Sequence, residues 1–416
     1  MREMKDSGIP WIGEIPKDWS VMPHKRVMYK VKEIQEHYNG ENILSLTMRG
    51  VIVRDLEAGG KMPTSFDGYQ KVYPNNLLQC LFDIDVTPRC VGLIRNEGLT
   101  SPAYSQFAMY PNGYAPYYDY LLRYMDDRKT LLHLSKNLRS SLTETDFGAI
   151  YTCVPSSIEE QQRIAEFLDR KCAEVDEMIG LQEQIIEELK AYKQSVITEA
   201  VTKGLNPDVP MRDSGIEWIG SIPEHWEVKL LSTLFDEHKH KNSELQEANL
   251  LSLSYGKIVR KDINTSEGLL PQSFDGYNII SNGDIVFRLT DLQNDKKSLR
   301  TGLCLETGII TSAYVTIRAR QKLCSAYFHY LVHSYDVCKV FYGMGDGVRQ
   351  GMNYSDLRKL LLLSPPITEQ QAIADYLDEK CADIDSLIQT KQSKIDSLKE
   401  YKKSIIYEYV TGKKEI

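Results

Sequence analysis

The sequence repeats one long segment at a spacing of 209 residues, and this duplication constrains the fold more than any other feature. Residues 158–202 and 367–411 are identical at 23 of 45 positions. In both copies apolar residues recur at the a and d positions of six consecutive heptads, and neither copy contains proline. This spacing is typical of coiled-coil helices. The sequence therefore predicts two long helices, which we call the repeat helices.

Start and stop signals surround both repeat helices. Ser156-Ser157 and Pro365-Pro366 precede them, and Gly204 and Gly412 follow them. Polar residues interrupt the apolar seam at matching places in the two copies: Gln161 with Gln370, Gln182 with Lys391, and Lys193 with Lys402. Buried polar seam residues commonly set register and partner choice. A heptad stripe alone fits pairing with another protein equally well, but duplication within one chain favours an antiparallel coiled coil of the two helices.

Two shorter segments repeat in the same frame. Residues 6–19 (DSGIPWIGEIPKDW) and 213–226 (DSGIEWIGSIPEHW), which we call the opening segments, share ten of fourteen residues. Each precedes a stretch with only scattered similarity to its counterpart: the first insert (20–155) and the second insert (227–366). Joining the C-terminus to the N-terminus would nearly reproduce the internal linker. We therefore expect a circular repeat of two half-molecules that present two different surfaces.

Composition and charge narrow the class of protein. The net charge is −8, but residues 158–204 and 367–416 together carry 21 acidic and 14 basic side chains, so the inserts are nearly neutral. A wholly basic nucleic-acid binder is excluded, whereas a neutral domain with one basic face is not. Eight cysteines without a CxxC pair, no long apolar run and no signal-peptide core predict a cytoplasmic protein with reduced thiols.

Both inserts mix strand and turn patterns in the same order. The second insert reads LLSLS, GKIVRKD and FDGYNIISNGDIVFRL, in which Asn-Gly-Asp separates two strand-like runs. The first insert offers ILSLTMRGVIVRD and FDGYQKVYPNNLLQCLF in equivalent places, and each insert continues with an aromatic-rich helical stretch. The sequence predicts one α/β (α+β) fold in two copies.

This arrangement resembles the DNA-specificity subunit of type I restriction–modification systems. The resemblance covers the chain and depends on the paired opening segments, the FDGY and TS-(P)AY landmarks, and the EQQ-IA--LD-KCA helix starts. It implies two target-recognition domains (1–155 and 205–365) that each read one half of a bipartite, asymmetric DNA site. It also implies that the repeat helices (156–204 and 366–416) set the spacer and dock two methyltransferase subunits, with ATP-dependent translocase–nuclease subunits as further partners.

No catalytic or cofactor-binding motif occurs in its usual structural context, which predicts a non-catalytic subunit without a cofactor. Residues 341–345 (FYGMG) match the FxGxG spacing of a motif for S-adenosylmethionine, but this glycine-rich run follows a helical stretch instead of leading into one, which indicates a turn. The sequence contains no Asn-Pro-Pro-aromatic motif for adenine methylation and no GxxxxGK[ST] phosphate loop. Adenine methylation and restriction would belong to the partner subunits. The alternative from a different class is a coiled-coil scaffold whose inserts bind proteins instead of DNA.

Basic clusters and amide side chains near turns are the candidate contacts to double-stranded DNA, because Lys and Arg bind phosphates and polar side chains read base edges. In the first insert they are Arg49, Arg54, Arg89 and Arg139. In the second insert they are Lys257, Arg260, Lys261, Gln293, Asn294, Lys296, Lys297, Arg300 and Arg349. For Arg139 and Arg349 the alternative is an internal salt bridge, to Asp146 and Asp356 respectively.

Overall fold

The computed structural model describes residues 2–58, 63–135, 140–263, 273–290, 292, 299–344 and 351–416. The chain divides into two compact units, Met1–Glu183 with Ser393–Ile416, and Gln184–Gln392. The repeat helices, α4 (Ile158–Lys203) and α8 (Ile367–Val410), each contribute one part to each unit. Each unit also contains one opening segment and one insert.

The first unit is built from short antiparallel strands and three helices. Its strands are β1 (Met4–Asp6), β2 (Glu14–Pro16), β3 (Ser20–Pro23), β4 (Met28–Val31), β5 (Leu44–Thr47), β6 (Gly50–Val53), β7 (Gln70–Val72), β8 (Leu77–Gln79), β9 (Val91–Leu93), β10 (Gly98–Thr100), β11 (Ser105–Met109) and β12 (Tyr151–Val154). Its helices are α1 (Ala115–Asp127), α2 (Thr130–Leu134) and α3 (Glu144–Ala149). Four strands form a sheet in the order β4-β11-β8-β9, and β12 pairs with β3.

The second unit repeats this arrangement. Its strands are β13 (Met211–Asp213), β14 (Ser221–Pro223), β15 (Glu227–Leu230), β16 (Phe235–Glu237), β17 (Leu251–Ser254), β18 (Lys257–Arg260), β19 (Asn278–Ile280), β20 (Ile285–Phe287), β21 (Thr301–Leu303), β22 (Gly308–Ile310), β23 (Val315–Ala319) and β24 (Leu361–Ser364). Its helices are α5 (Leu231–Leu234), α6 (Ser325–Val337) and α7 (Tyr354–Leu357). The sheet order β16-β23-β20-β21 matches that of the first unit. The α+β prediction in two copies is confirmed.

The repeat helices pack against each other in opposite directions. In the first unit, Lys402 Nζ lies 2.6 and 2.7 Å from the carboxylate oxygens of Asp176, and the rings of Phe167 and Tyr409 are 4.4 Å apart. In the second unit, Lys193 Nζ contacts Asp385 at 2.7 and 2.8 Å. Partners that are later in one helix are earlier in the other, so the predicted antiparallel coiled coil is confirmed. The seam residues Lys193 and Lys402 each bind an aspartate of the opposite helix.

Each insert is held to its repeat helix through its longest helix. Tyr120 of α1 donates a hydrogen bond from its hydroxyl to Asp169 of α4 at 2.7 Å. Tyr330 of α6 donates the equivalent bond to Asp378 of α8, also at 2.7 Å. Burial and the neighbouring carboxylate raise the pKa of both phenols, so both remain donors at neutral pH.

The paired glutamines at the start of the repeat helices bind the inserts and not the opposite helix. Gln161 accepts a 2.8 Å bond from the backbone N–H of Tyr114, the residue that precedes α1, and donates a 3.0 Å bond to the carbonyl of Asn112. Gln370 accepts a bond from the backbone N–H of Cys324, the residue that precedes α6. Because neither α1 nor α6 has a side-chain cap of its own, each glutamine supplies a partner for a helix terminus.

The opening segments explain the glycines that end the repeat helices. Gly412 has φ +68°, and a Cβ atom there would lie 2.5 Å from Pro16. Gly204 has φ +76°, and its Cβ would lie 3.2 Å from the ring of Trp226. A left-handed residue beside a tightly packed ring or proline must therefore be glycine. Each opening segment packs on the end of a repeat helix, as a circular repeat requires.

Candidate nucleic-acid interface

Two equivalent hairpins carry five of the basic candidate residues. In the first insert β5 pairs with β6; Arg49 is exposed in the two-residue turn, and Arg54 follows β6 and is partly buried. In the second insert β17 pairs with β18; Lys257 begins β18, Arg260 ends it, and Lys261 follows, all three exposed. The structure therefore groups these residues into one basic hairpin per insert.

Each hairpin has one face in a small core and the other in solvent. Under the first hairpin, one cluster contains the buried residues Leu44, Val51, Val72, Leu78 and Ile94. Under the second, the cluster contains Leu251, Ile280, Val286, Cys304 and Ile310, with Ile258 packed against it. Burial of alternate side chains fixes the register of both hairpins, because a slip by one residue would turn the apolar face outward. The basic residues are thus presented at defined positions.

One basic residue of the second hairpin already has an acidic partner. Arg260 Nε lies 2.9 and 2.8 Å from the two carboxylate oxygens of Glu306, and its Nη2 also contacts Glu306. The hydrogen bond from Arg260 lowers the pKa of Glu306, which therefore remains charged. Both side chains are accessible, so a phosphate would have to compete with this carboxylate. Within the described residues, Lys257 and Lys261 have no acidic partner, so their charge is available to a ligand.

Arg89 is partly buried in the first unit, where its guanidinium pairs with two carboxylates. Its Nη1 is 3.2 Å from Asp126 Oδ2 and 2.9 Å from Asp127 Oδ1. The Asp126 side chain is only 2% exposed and also accepts a 3.0 Å bond from the backbone N–H of Cys90. Because Arg89 neutralises a buried carboxylate, we correct its assignment from a DNA contact to a structural residue.

Arg300 is a second correction. Its relative exposure is 0%, and its Nη1 donates a 2.9 Å hydrogen bond to the carbonyl of Thr290. Its backbone N–H donates a 2.6 Å bond to Asp336, in the place where Cys90 binds Asp126 in the first unit. A guanidinium buried in this way does not reach a phosphate. The predicted DNA contact at Arg300 is therefore wrong.

The remaining candidates lie outside the described residues: Arg139, Gln293, Asn294, Lys296, Lys297 and Arg349. The acidic groups proposed as alternative partners of two of them are visible. Asp146 accepts a 2.6 Å bond from the hydroxyl of Thr143, which caps α3. Asp356 accepts a 3.2 Å bond from the backbone N–H of Asn353, which caps α7. Both acids therefore take part in capping boxes that begin short helices.

The first turn residue of each hairpin, Met48 and Tyr255, was not among the predicted site residues. Tyr255 is 81% exposed and Met48 is 62% exposed, and each is the first residue of the two-residue turn in its hairpin. The signal was present in the sequence, because Tyr255-Gly256 separates two strand-like runs by the length of a tight hairpin turn.

Other kinds of site are not seen in the part of the chain that the structure describes. Among the described ranges, no cluster of three or more His, Cys, Asp or Glu side chains could hold a metal ion. Across the same residues, no helix has the length and apolar character needed to span a membrane.

No model of a known protein family matches the sequence. A protein of Methanocaldococcus jannaschii, provisionally named the type I restriction enzyme MjaX specificity subunit, is 26% identical over 311 residues, which cover 73% of this chain and 69% of that protein. The chain is homologous to type I restriction-enzyme specificity subunits. A second member of this family, the MjaVIII specificity subunit of the same organism, is 25% identical over 276 residues, 62% of this chain and 60% of that protein.

Solved structures share the fold of this specificity-subunit homologue. A chain from a structural study of assembly and conformational transition of the type I R-M system superimposes with a TM-score of 0.70 at 14% identity, covering 96% of this chain and 99% of that one. The HsdS subunit from Thermoanaerobacter tengcongensis gives a TM-score of 0.52 at 15% identity, with 96% and 98% coverage. At these identities the likeness concerns the fold alone.

Proposed function

We propose that this chain is the DNA-specificity subunit of a type I restriction–modification complex. The observation that carries the proposal is its 26% identity over 311 residues to a protein named as such a subunit. The fold supports it, because two units of the same architecture present different residues on equivalent basic hairpins. The chain itself is non-catalytic and without a cofactor, and it acts in the cytoplasm on double-stranded DNA.

Each target-recognition domain (1–155 and 205–365) reads one half of an asymmetric, bipartite site. The exposed basic residues Arg49, Lys257 and Lys261 contact phosphates, which position the protein, and neighbouring side chains select bases. The repeat helices set the length of the spacer and bind two methyltransferase subunits. Adenine methylation and restriction are performed by these partners and by ATP-dependent translocase–endonuclease subunits that join them.

Binding of the purified complex to DNA tests this function. The chain is co-expressed with its methyltransferase partner, the methylated motif is mapped by sequencing, and a gel-shift assay compares a duplex that carries the motif with a scrambled duplex. We expect binding about a thousandfold tighter to the motif, as is usual for specific sites. Equal binding to both duplexes, or none with any partner present, would instead support the protein-binding scaffold.

In each unit, exposed apolar side chains of the repeat helices lie next to an ion pair between the two helices. In the first unit, Met178 and Tyr401 are about half exposed and lie beside the Asp176–Lys402 ion pair. In the second unit, Leu387 and Tyr192 have the same exposure beside the Lys193–Asp385 pair. We call these two pairs of apolar residues the dock patches. Each of their residues directly precedes an a position, so all four share one flank of the heptad.

The dock patches fit two copies of the same partner. Met178 and Leu387 occupy matching positions in the repeat, as do Tyr192 and Tyr401, so each unit offers one aliphatic and one tyrosine side chain. Exposed apolar side chains of this size at a coiled-coil flank are typical of protein interfaces, in which tyrosine is enriched. We therefore assign one methyltransferase subunit to each dock patch.

The double substitution Tyr192→Glu with Leu387→Glu should remove one methyltransferase subunit from the complex. The two introduced carboxylates would lose their hydration in the contact with the methyltransferase without gaining a partner, which costs about 2 kcal/mol or more at a buried interface. Native mass spectrometry should show a fall from two methyltransferase subunits to one. Gln184→Glu is the control, because it adds negative charge to an exposed f position of the same helix. Retention of both subunits, or loss of both, would contradict the assignment.

A further inference from the structure

The tips of the two hairpins are the feature that the proposed function leaves unused. Tyr255 is 81% exposed at the first position of the turn between β17 and β18, and Met48 is 62% exposed at the same position between β5 and β6. The sequences of the two tips differ, yet both place a large apolar side chain in solvent. An exposed apolar side chain at the same turn position of both units is a specific arrangement, which indicates a function.

The backbone conformation at Tyr255 is also unusual for a tyrosine. Tyr255 has φ +46° and Gly256 has φ +79°, so both turn residues are left-handed. Tight hairpin turns of this kind favour Asn, Asp or Gly at the first position, because a Cβ atom is strained there. Local strain persists where the surrounding structure imposes it, and it concentrates at functional sites. Tyr255 is 81% exposed, and within the described residues its hydroxyl has no hydrogen-bond partner, so neither packing nor a hydrogen bond there accounts for this residue.

The turn at Tyr255 also packs on the protein beneath it and lies beside a basic residue. A Cβ atom on Gly256 would lie 3.0 Å from the side chain of Leu299, so the second turn residue rests directly on the protein. Leu251 and Leu253 of β17 are buried beneath the hairpin. Lys257, next to the turn, is exposed and has no ion-pair partner in the described part of the chain. The hairpin tip is therefore rigid, ends in an aromatic ring and lies beside a positive charge. These properties suit a nucleic acid, which has an anionic backbone and flat bases.

We propose that Tyr255, and Met48 in the first insert, are wedges that insert between bases of the target duplex. The inference rests on the proposed function. Proteins that deform DNA insert apolar side chains between base steps, and aromatic rings stack on unstacked bases. The lysines beside the tip would hold the flanking phosphates while the ring enters the stack. Each wedge would also add specificity, because flexible base steps open at lower cost than stiff ones.

The substitution Tyr255→Asn separates this role from folding. Asparagine is favoured in the turn, so the complex with its methyltransferase should melt at the same or a higher temperature. Loss of one stacked base should weaken binding to the mapped motif by about tenfold or more. A duplex with 2-aminopurine at successive positions of the half-site should brighten at one step with wild-type complex and not with Tyr255→Asn. Tyr255→Phe is the conservative control and should retain both the affinity and the brightening.

The outcomes distinguish the wedge from the function on which it rests. Selective binding and 2-aminopurine brightening that survive Tyr255→Asn would overturn the wedge alone. The wedge would also be overturned if Tyr255→Asn weakened binding but the wild-type complex brightened 2-aminopurine at no step. Tyr255 would then contact the duplex without entering it. A wild-type complex that binds no duplex selectively would overturn both proposals. Met48→Ala provides the comparison for the other half-site, because Met48 does not have a positive φ and asparagine has no turn advantage there.

Discussion

Replacing Gln161 with leucine is expected to lower the free energy of unfolding of the first unit by about 2–4 kcal/mol, although leucine suits a coiled-coil seam better than glutamine. Gln161 is 1% exposed and bonds the Tyr114 N–H and the Asn112 carbonyl. Leucine would leave both groups without their partner at the start of α1, and each unsatisfied buried group costs about 1–3 kcal/mol. Urea unfolding measures the change, and hydrogen exchange should locate it at α1.

The same substitution at Gln182 is the matched control. Gln182 occupies the same d position of α4, three heptads later, and its side-chain oxygen is buried without a hydrogen-bond partner among the described residues. Gln182→Leu should therefore cause no loss of stability. Gln370→Leu should also destabilise the second unit, because Gln370 accepts a bond from the Cys324 N–H at the start of α6 and donates one to the Pro365 carbonyl. Equal effects at Gln161 and Gln182 would show that the inserts do not depend on these bonds.

Replacing Arg89 with alanine is expected to destabilise the first unit by about 3–5 kcal/mol, the usual cost of leaving one partner of a buried ion pair alone. The partner left behind is Asp126, whose side chain is 2% exposed. The salt dependence of DNA binding by the folded protein should not change. A fluorescence melt of the complex and a salt titration of DNA affinity measure the two effects separately.

Arg49→Ala provides the opposite signature. Arg49 is exposed in the turn of the first hairpin, so its loss should leave the melting temperature unchanged. If it binds a phosphate, affinity should fall for all sequences and the slope of log affinity against log salt should decrease by nearly one. A stable Arg89→Ala variant with a reduced slope would return Arg89 to the DNA surface and contradict its burial.

The sequence predicts well those features that arise from local patterns. Heptad spacing, flanking serine and proline, and terminal glycine place the repeat helices, which the structure shows at Ile158–Lys203 and Ile367–Val410. Alternating apolar residues around a short turn likewise predict β17 and β18. In both cases the residues that determine the element lie within it, so periodicity is sufficient.

The sequence fails where the partner of a residue is distant in the chain. Arg89 looks like a surface cation until Asp126, 37 residues later on α1, is placed beside it. Gln161 looks like a seam residue because its partners, Tyr114 and Asn112, lie 47 and 49 residues earlier in the chain. Charge and polarity in sequence reveal what a residue can bind, whereas tertiary packing decides what it does bind.

Exchange of one insert tests most directly the claim that each unit reads its own half of the target. Residues 20–155 are replaced with the first insert of a homologous specificity subunit whose methylated motif is different and mapped. The hybrid is expressed with its methyltransferase, and single-molecule sequencing maps methylated adenine in cellular DNA. We expect one half of the motif to change to that of the donor, while the other half and the spacer length remain the same. A motif altered in both halves, or in neither, would contradict the account.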